Sequence, residues 1–339
     1  MRNVIIRADG GSSIGMGHVV RCLALAEMLK NEFEIKFAIQ EPSDIALNLI
    51  KETTNNIIVL PATDNYQQDV SNFIHYVTDK DIVVIDGYNF TTEYQQTLKN
   101  KGCKLVAIDD LHAWHQLADV IINHASGIQE NDYSAEKHTQ FCLGLNYVLL
   151  RPEFLNAKKS TRKIIQLKKV FISMGAADIG NNTKKITEAL LFIDSIQEIN
   201  LMVSGINPHI KDIERLMLIS NKVKTHYNLS AKELSVLLNK CDVAICPASS
   251  IALESCAIGI GLISGYTAEN QLGNLNGLIK HKTLINFDNI NQLSIKEIIQ
   301  KMERLIPYPS VFNELIENQK RMIDGKSPER LLNIFKSLN

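Results

Sequence analysis

Arg2-Asn-Val-Ile-Ile-Arg-Ala-Asp-Gly-Gly-Ser-Ser-Ile-Gly-Met-Gly-His-Val-Val-Arg-Cys-Leu-Ala-Leu-Ala26 is the stretch that decides the fold. A β-rich apolar run ends at Asp9. Gly10, Gly11, Gly15 and Gly17 crowd the turn that follows, and an amphipathic helical pattern begins at His18. Strand, glycine-rich turn and helix in this order open a βα unit. Glycines permit positive φ and let a ligand approach the backbone with no Cβ in the way. In such units ligands collect at the carboxyl end of the sheet. His18 therefore sets a titratable imidazole where a substrate would lie.

Two better-known loops do not fit. A phosphate-cradling P-loop needs Gly-Lys-Ser/Thr after its glycines, whereas Gly17 is followed by His18 and Val19. A dinucleotide fingerprint needs a third small residue three positions after the second glycine, and Gly15-Met-Gly17 continues into His-Val-Val. Nucleoside triphosphate hydrolysis and dinucleotide binding are both set aside. The bland alternative is a flexible turn with an incidental surface histidine.

Composition narrows the class. The chain has 339 residues, 45% hydrophobic, enough for two domains of ordinary size. Its formal net charge of -1 points to neither nucleic acid nor an anionic membrane as partner. No secretory h-region opens the sequence, and no apolar run reaches membrane-spanning length, so no integral membrane segment is expected. Cys22, Cys103, Cys142, Cys241, Cys246 and Cys256 are scattered, with no Cys-x-x-Cys pair, and read as reduced core thiols of a cytoplasmic protein. The oligomeric state is not legible.

Strand and helix patterns then alternate. Val/Ile-rich runs recur at 4–6, 35–39, 57–60, 82–86, 104–108 and 120–122, with helical patterns between them. After Arg151-Pro-Glu-Phe154 the regularity breaks, and the basic stretch Lys158 to Lys169 reads as a linker. Alternation restarts at Val170-Phe-Ile-Ser-Met174 and continues through 200–204, 223–227, 242–246 and 261–265. Repeated βα units predict parallel sheets covered by helices on both faces. The expected architecture is α/β: two Rossmann-like doubly wound domains facing across a cleft, at 1–160 and 161–320, with a helical tail at 321–339. Ser327-Pro-Glu reads as the start of that tail's helix, Ser327 as N-cap and Pro328 at the first helical position.

A second constellation lies at Asp242-Val-Ala-Ile-Cys-Pro-Ala-Ser-Ser-Ile-Ala-Leu-Glu254. It reads as a buried strand, a tight turn, and a helix opening at Ser249 or Ser250. Backbone N–H groups at such a terminus bind anions. Glu254, one turn in on the face of Ser250, could accept from both ribose hydroxyls of a nucleotide whose phosphates rest on the helix end, or could be a solvated helix residue. An earlier turn, Ser173-Met-Gly-Ala-Ala-Asp178, has small residues suited to close ligand approach.

At these residues the chain resembles the UDP-2,4-diacetamido-2,4,6-trideoxy-β-L-altropyranose hydrolases of pseudaminic acid biosynthesis, over nearly its whole length. The resemblance rests on Arg7-Ala-Asp-Gly-Gly, Ile14-Gly-Met-Gly-His18, Arg21-Cys-Leu, Ile85-Asp-Gly-Tyr-Asn89, Ile108-Asp-Asp-Leu111 and Leu149-Leu-Arg-Pro-Glu-Phe154. In the second half it rests on Ile172-Ser-Met-Gly175, Ala248-Ser-Ser-Ile-Ala-Leu-Glu254 and Glu269-Asn-Gln271. The N-terminal signature is specific; the later pieces also occur in related glycosyltransferases.

The resemblance implies a glycosyltransferase-B fold, UDP on the second domain, sugar in the cleft, and water in place of an acceptor. It implies metal-independent cleavage of the sugar C1–O bond with inversion, with no cofactor, as a step toward surface polysaccharide. His18 matches the proposed general base, and Tyr88 and Asn270 match active-site residues. Asp9, Gly15, Gly17, Arg21, Gly175, Ser249, Ser250, Glu254 and Gln271 are the expected substrate and UDP contacts. The chain departs from the family at Ala248-Ser249-Ser250, often Gly-Gly-Ser/Thr, and at Met174-Gly-Ala-Ala-Asp178, often Met-Gly-Gly-Ser-Asp. Both departures bear on phosphate-loop geometry.

The chemistry suits these residue types. UDP is a good leaving group, so the site needs a positioned water and stabilisation of the diphosphate. A neutral histidine can take the water's proton, and helix N-termini can hold the diphosphate. Asp9, Asp86 and Asp109 each end a predicted strand, where each either supports His18, binds sugar hydroxyls or caps the following helix. His112-Ala-Trp-His115 lacks a nearby third ligand, so no metal site is expected. Two other classes remain open: a transferase of the same fold, and a UDP-sugar binder without catalysis. An imidazole in the glycine loop favours an enzyme over a binder. The lack of a basic-apolar membrane patch disfavours a lipid-acceptor transferase.

Overall fold

A computed structural model describes residues 1–10, 16–125, 127–157, 163–175 and 177–338. The chain separates into two compact units, Met1–Pro152 with Gly325–Asn339, and Glu153–Asp324. Strands of the first unit are β1 (Arg2–Ala8), β2 (Phe33–Gln40), β3 (Ile57–Leu60), β4 (Ile82–Asp86), β5 (Lys104–Ile108), β6 (Val120–Asn123) and β7 (Gln140–Leu143). They form one sheet in the order β3-β2-β1-β4-β5-β6-β7, every pair parallel. The second unit has β8 (Lys169–Ile172), β9 (Glu198–Val203), β10 (Val223–Tyr227), β11 (Val243–Pro247), β12 (Gly261–Tyr266) and β13 (Ile285–Asn289). Its order, β10-β9-β8-β11-β12-β13, is again fully parallel. Both are the doubly wound arrangement, each with a switch point between its first and fourth strands, β1/β4 and β8/β11.

The runs read as strands are strands. β7 and β13 were not read from the sequence. They close the edges of the sheets, where each has one strand partner and its side chains are only partly buried, so neither carries a continuous apolar run.

Alternation along the strands divides the first unit into two layers. Val4, Ile6, Ala8, Val84, Val106, Ile108, Val120 and Ile122 face one core, with the helix Gly17–Leu29. Ile5, Val83, Ile85, Leu105, Ala107 and Ile121 face the other, with Tyr94 and Leu98. The helix Gly17–Leu29 is not amphipathic. Val19, Cys22, Leu23, Ala24, Leu25, Ala26 and Leu29 are all buried, because a further helix covers its outer side. That helix is Ser327–Ser337, whose Leu331 and Phe335 enter the same core, and Phe335 meets Phe33 edge-on at 6.2 Å. Of the stretch 321–339 set apart from sequence as a tail, the part from Gly325 on thus belongs to the first unit. Its cap also differs from expectation. Lys326 is the N-cap, with no side-chain cap bond, and the Ser327 hydroxyl is buried without a partner.

In the second unit Ile164 and Leu167, expected within a linker, are core residues. The Asn313 side-chain amide holds both backbone groups of Ile164. Residues 158–162 of that stretch lie outside the described residues. Gly265 is required by packing, since a Cβ there would fall 2.2 Å from the Asp288 carbonyl oxygen. All six cysteines are buried. Among the described residues no helix is long and apolar enough to cross a membrane.

Candidate active site

At the first switch point the layer alternation continues to the strand ends and just past them. Asp86 follows Val84, Asp110 follows Ile108 and His124 follows Ile122, all toward the helix Gly17–Leu29. That helix presents His18 and Arg21 three residues apart, on one face. The His18 Nδ1 lies 2.7 Å from Asp86 Oδ1. Arg21 donates from Nε to Asp86 Oδ2 at 2.6 Å, from Nη2 to Oδ1 at 2.5 Å, and from Nη1 to Asp110 Oδ2 at 2.9 Å. The Cys22 thiol donates to Asp86 Oδ2 at 3.3 Å. The Tyr88 ring stands edge-on to His18, 4.8 Å between centroids.

Asp86 is fully buried and its two oxygens meet four donors. Burial alone would raise its proton affinity, but the Arg21 charge and then His18 outweigh this and hold it well below the usual carboxylate range. An ionised carboxylate only accepts, so the proton between Asp86 and His18 sits on Nδ1. Arg21 Nη2, 3.1 Å from the same nitrogen, is then a charge beside the ring and not a hydrogen-bond donor to it. Fixing the proton on Nδ1 leaves Nε2 as the basic atom, the arrangement a general base needs. Burial and the Arg21 cation push His124 down to about 4, so it stays neutral near pH 7.

Of the three aspartates at strand ends, Asp86 supports His18. Asp9 faces the other layer. There Arg7, fully buried, donates to both Asp9 oxygens at 2.5 and 2.7 Å and to both Asp69 oxygens at 3.2 and 3.0 Å. Tyr94 and Gln40 also donate to Asp69. This network anchors the base of the glycine turn. Asp109 braces its own loop, accepting from the backbone of Leu111 and His112 and from Gln116. Gly17 opens its helix with nothing within 4 Å of where a Cβ would stand, and Gly15 lies outside the described residues. Arg21, expected to touch substrate, donates to Asp86 and Asp110. His112 and His115 do not converge. His112 meets Tyr133 edge-on, and His115 pairs with Ser134 and Glu136.

The second switch point has two helix starts. At Asn182 the N-terminus is already occupied by an anion, because Asp178 accepts from the Asn182 and Thr183 amides at 2.9 and 2.8 Å. At Ser250–Ile258 the N-cap is Ser249, with no side-chain cap bond and no acid in the first turn. Of the two, this end suits a diphosphate. Ala248 is buried, its amide bonded to the Gly265 carbonyl, so the turn holds without a glycine there. Glu254 is not solvated. It is 4% exposed, the one charged residue of its helix. Gly175 is exposed at φ 84, in the left-handed region, with nothing within 4 Å of a Cβ position. Ala176 lies outside the described residues. Gln271 accepts from the Thr267 and Ala268 amides and so shapes the loop before the helix Leu272–Lys280; Asn270 is exposed on the same turn.

Asp110, Cys22 and His124 were missed in the sequence as members of the first cluster. The signal available was parity, since each of Asp110 and His124 sits two positions after a core residue of its strand.

No protein-family model matches the chain. It is 27% identical to the protein MJ1062 of Methanocaldococcus jannaschii, over 79% of this chain and 56% of that one, so it spans little more than half of that relative. It is 25% identical to the UDP-2,4-diacetamido-2,4,6-trideoxy-beta-L-altropyranose hydrolase of Campylobacter jejuni, over 74% and 87% of the two chains. It is 22% identical to the spore coat polysaccharide biosynthesis protein SpsG of Bacillus subtilis, over 99% and 98%. Among solved structures, MurG of Acinetobacter baumannii superposes with a TM-score of 0.70 at 11% identity, covering 99% of this chain and 100% of that one. Two fully parallel Rossmann-like sheets and this full-length superposition show the glycosyltransferase-B fold, in a chain distantly similar to a UDP-sugar hydrolase.

Proposed function

We propose that the protein is a nucleotide-sugar hydrolase that releases UDP from a UDP-diacetamido-trideoxyhexose. The observation that carries the reading is the His18–Asp86 pair at the β1/β4 switch point, 2.7 Å apart with the proton held on Nδ1. The similarity to the Campylobacter jejuni hydrolase supplies the substrate class. In this reading His18 Nε2 takes a proton from water as the water oxygen bonds to sugar C1. The C1–O bond to UDP breaks with inversion, and its electron pair leaves with the diphosphate. The open N-terminus of the helix Ser250–Ile258 stabilises the departing charge. Glu254 accepts from the ribose hydroxyls. Tyr88, packed on the imidazole, limits its rotation; Asn270 and Gln271 lie with the nucleotide.

The test is incubation of the purified protein with UDP-2,4-diacetamido-2,4,6-trideoxy-β-L-altropyranose and no acceptor. Stoichiometric release of UDP and free sugar supports the reading. Release only after addition of a sugar or lipid acceptor makes the protein a transferase. Binding without turnover makes it a binder. Either of these two outcomes overturns the proposal.

A further inference from the structure

The charged groups around His18 come from every element packed on it. Asp86 ends β4, Asp110 follows β5, and Arg21 lies on the same helix. His124, after β6, is buried and neutral near pH 7. Burial also keeps the Cys22 thiol protonated, and Tyr88 contributes a ring edge. Asp9 is paired with Arg7, and Asp109 is engaged by its own loop. Among the described residues three charges are therefore left to act on the imidazole, and they form a chain: Asp86, Arg21, Asp110.

Their effects have opposite signs. An unopposed carboxylate 2.7 Å from Nδ1 would favour the imidazolium, which cannot accept a proton. Arg21 Nη2, 3.1 Å from the same nitrogen, opposes that charge. Asp110, 2.9 Å from Arg21 Nη1, partly cancels the guanidinium and so tempers its effect. We propose that Arg21 and Asp110 are positioning residues that act on the proton affinity of His18 in opposite directions, Arg21 opposing the Asp86 carboxylate and Asp110 moderating Arg21. The inference rests on His18 being the base of the proposed reaction. Its premise is separate from the identity of the substrate.

The test is a substrate-free NMR titration of the His18 ring, whose signal among nine histidines is identified by its absence in His18→Asn. A neighbouring charge at this distance moves a midpoint by about 1–3 pH units. Arg21→Gln is expected to raise the midpoint by at least about one pH unit, Arg21→Lys to restore most of it, and Asp110→Asn to lower it. A merely structural role would move Arg21→Gln and Asp110→Asn the same way or neither. An Arg21→Gln midpoint at or below wild type overturns the proposal. Should Arg21→Gln not fold, Asp110→Asn decides, a lowered midpoint supporting and an unchanged or raised one overturning it. The acid limb of kcat/KM should shift with each midpoint. Midpoints moving as stated in a protein that releases no UDP would sink the hydrolase reading and leave this one standing.

Discussion

His18 Nδ1 lies 2.7 Å from Asp86 Oδ1, although 68 residues separate them in the chain. The contact exists because β4 pairs with β1 and both direct the same parity of side chain toward the helix Gly17–Leu29. With Asp86 ionised, it places the ring proton on Nδ1.

Loss of the base should stop turnover and spare the nucleotide. His18→Asn is expected to lower kcat by about 10²–10⁴-fold. UDP affinity, measured by calorimetry, should stay within about twofold. Activity within a few-fold of wild type would remove His18 from the reaction.

Asp86 ties stability to pH. Its folded-state proton affinity is depressed, so its contribution is fully present above the ordinary aspartate value of about 3.9 and is lost as pH falls below it. Thermal melts from pH 7 down to pH 3 should show Tm falling on the acid side, with a smaller fall in Asp86→Asn. Identical acid-side slopes in the two proteins would contradict this.

Among the described residues Arg7, fully buried, is the cation shared by buried Asp69 and partly exposed Asp9. Arg7→Met leaves Asp69 and Asp9 uncompensated and is expected to cost about 3–5 kcal/mol. Urea unfolding measures it. A cost under about 1 kcal/mol would show that the carboxylates find other partners.

Glu254 should act on the nucleotide alone. Glu254→Gln keeps the volume and removes the charge that would accept from the ribose, a loss of about 1.5–3 kcal/mol. UDP and UDP-sugar should weaken by similar factors, roughly 10–100-fold, in calorimetry. Unchanged UDP affinity would place the ribose elsewhere.

Chelation should be without effect. Turnover in excess EDTA is expected to match turnover without it, since a helix N-terminus and hydroxyls can carry the charge-stabilising role. Activity lost in EDTA and restored by Mg²⁺ or Mn²⁺ would reverse this.

Local chemistry made much of this protein legible from its residues. The β-branched runs, the glycine turn and the helix pattern after His18 are short-range signals, and they marked the βα units, both parallel sheets and the helix opening at Ser249-Ser250. The same locality explains the misses. Ser327 looks like an N-cap, but helix boundaries shift by a residue when tertiary packing buries the end, and Lys326 takes the place. The helix Gly17–Leu29 was read as amphipathic because nothing in its own residues announces that Ser327–Ser337 will cover its outer side.

What only the tertiary structure decided is which charges meet. Asp9, Asp86 and Asp109 are equivalent in the sequence, each an acid at the end of an apolar run. Period-two alternation sends Asp86 toward the helix carrying His18, and Asp9 and Asp109 toward the opposite layer. Asp110 and His124 join Asp86 for the same reason. Periodicity within a strand specifies that alternate residues share a face. Which face receives the helix depends on strand order and crossover hand, which arise between segments distant in the chain.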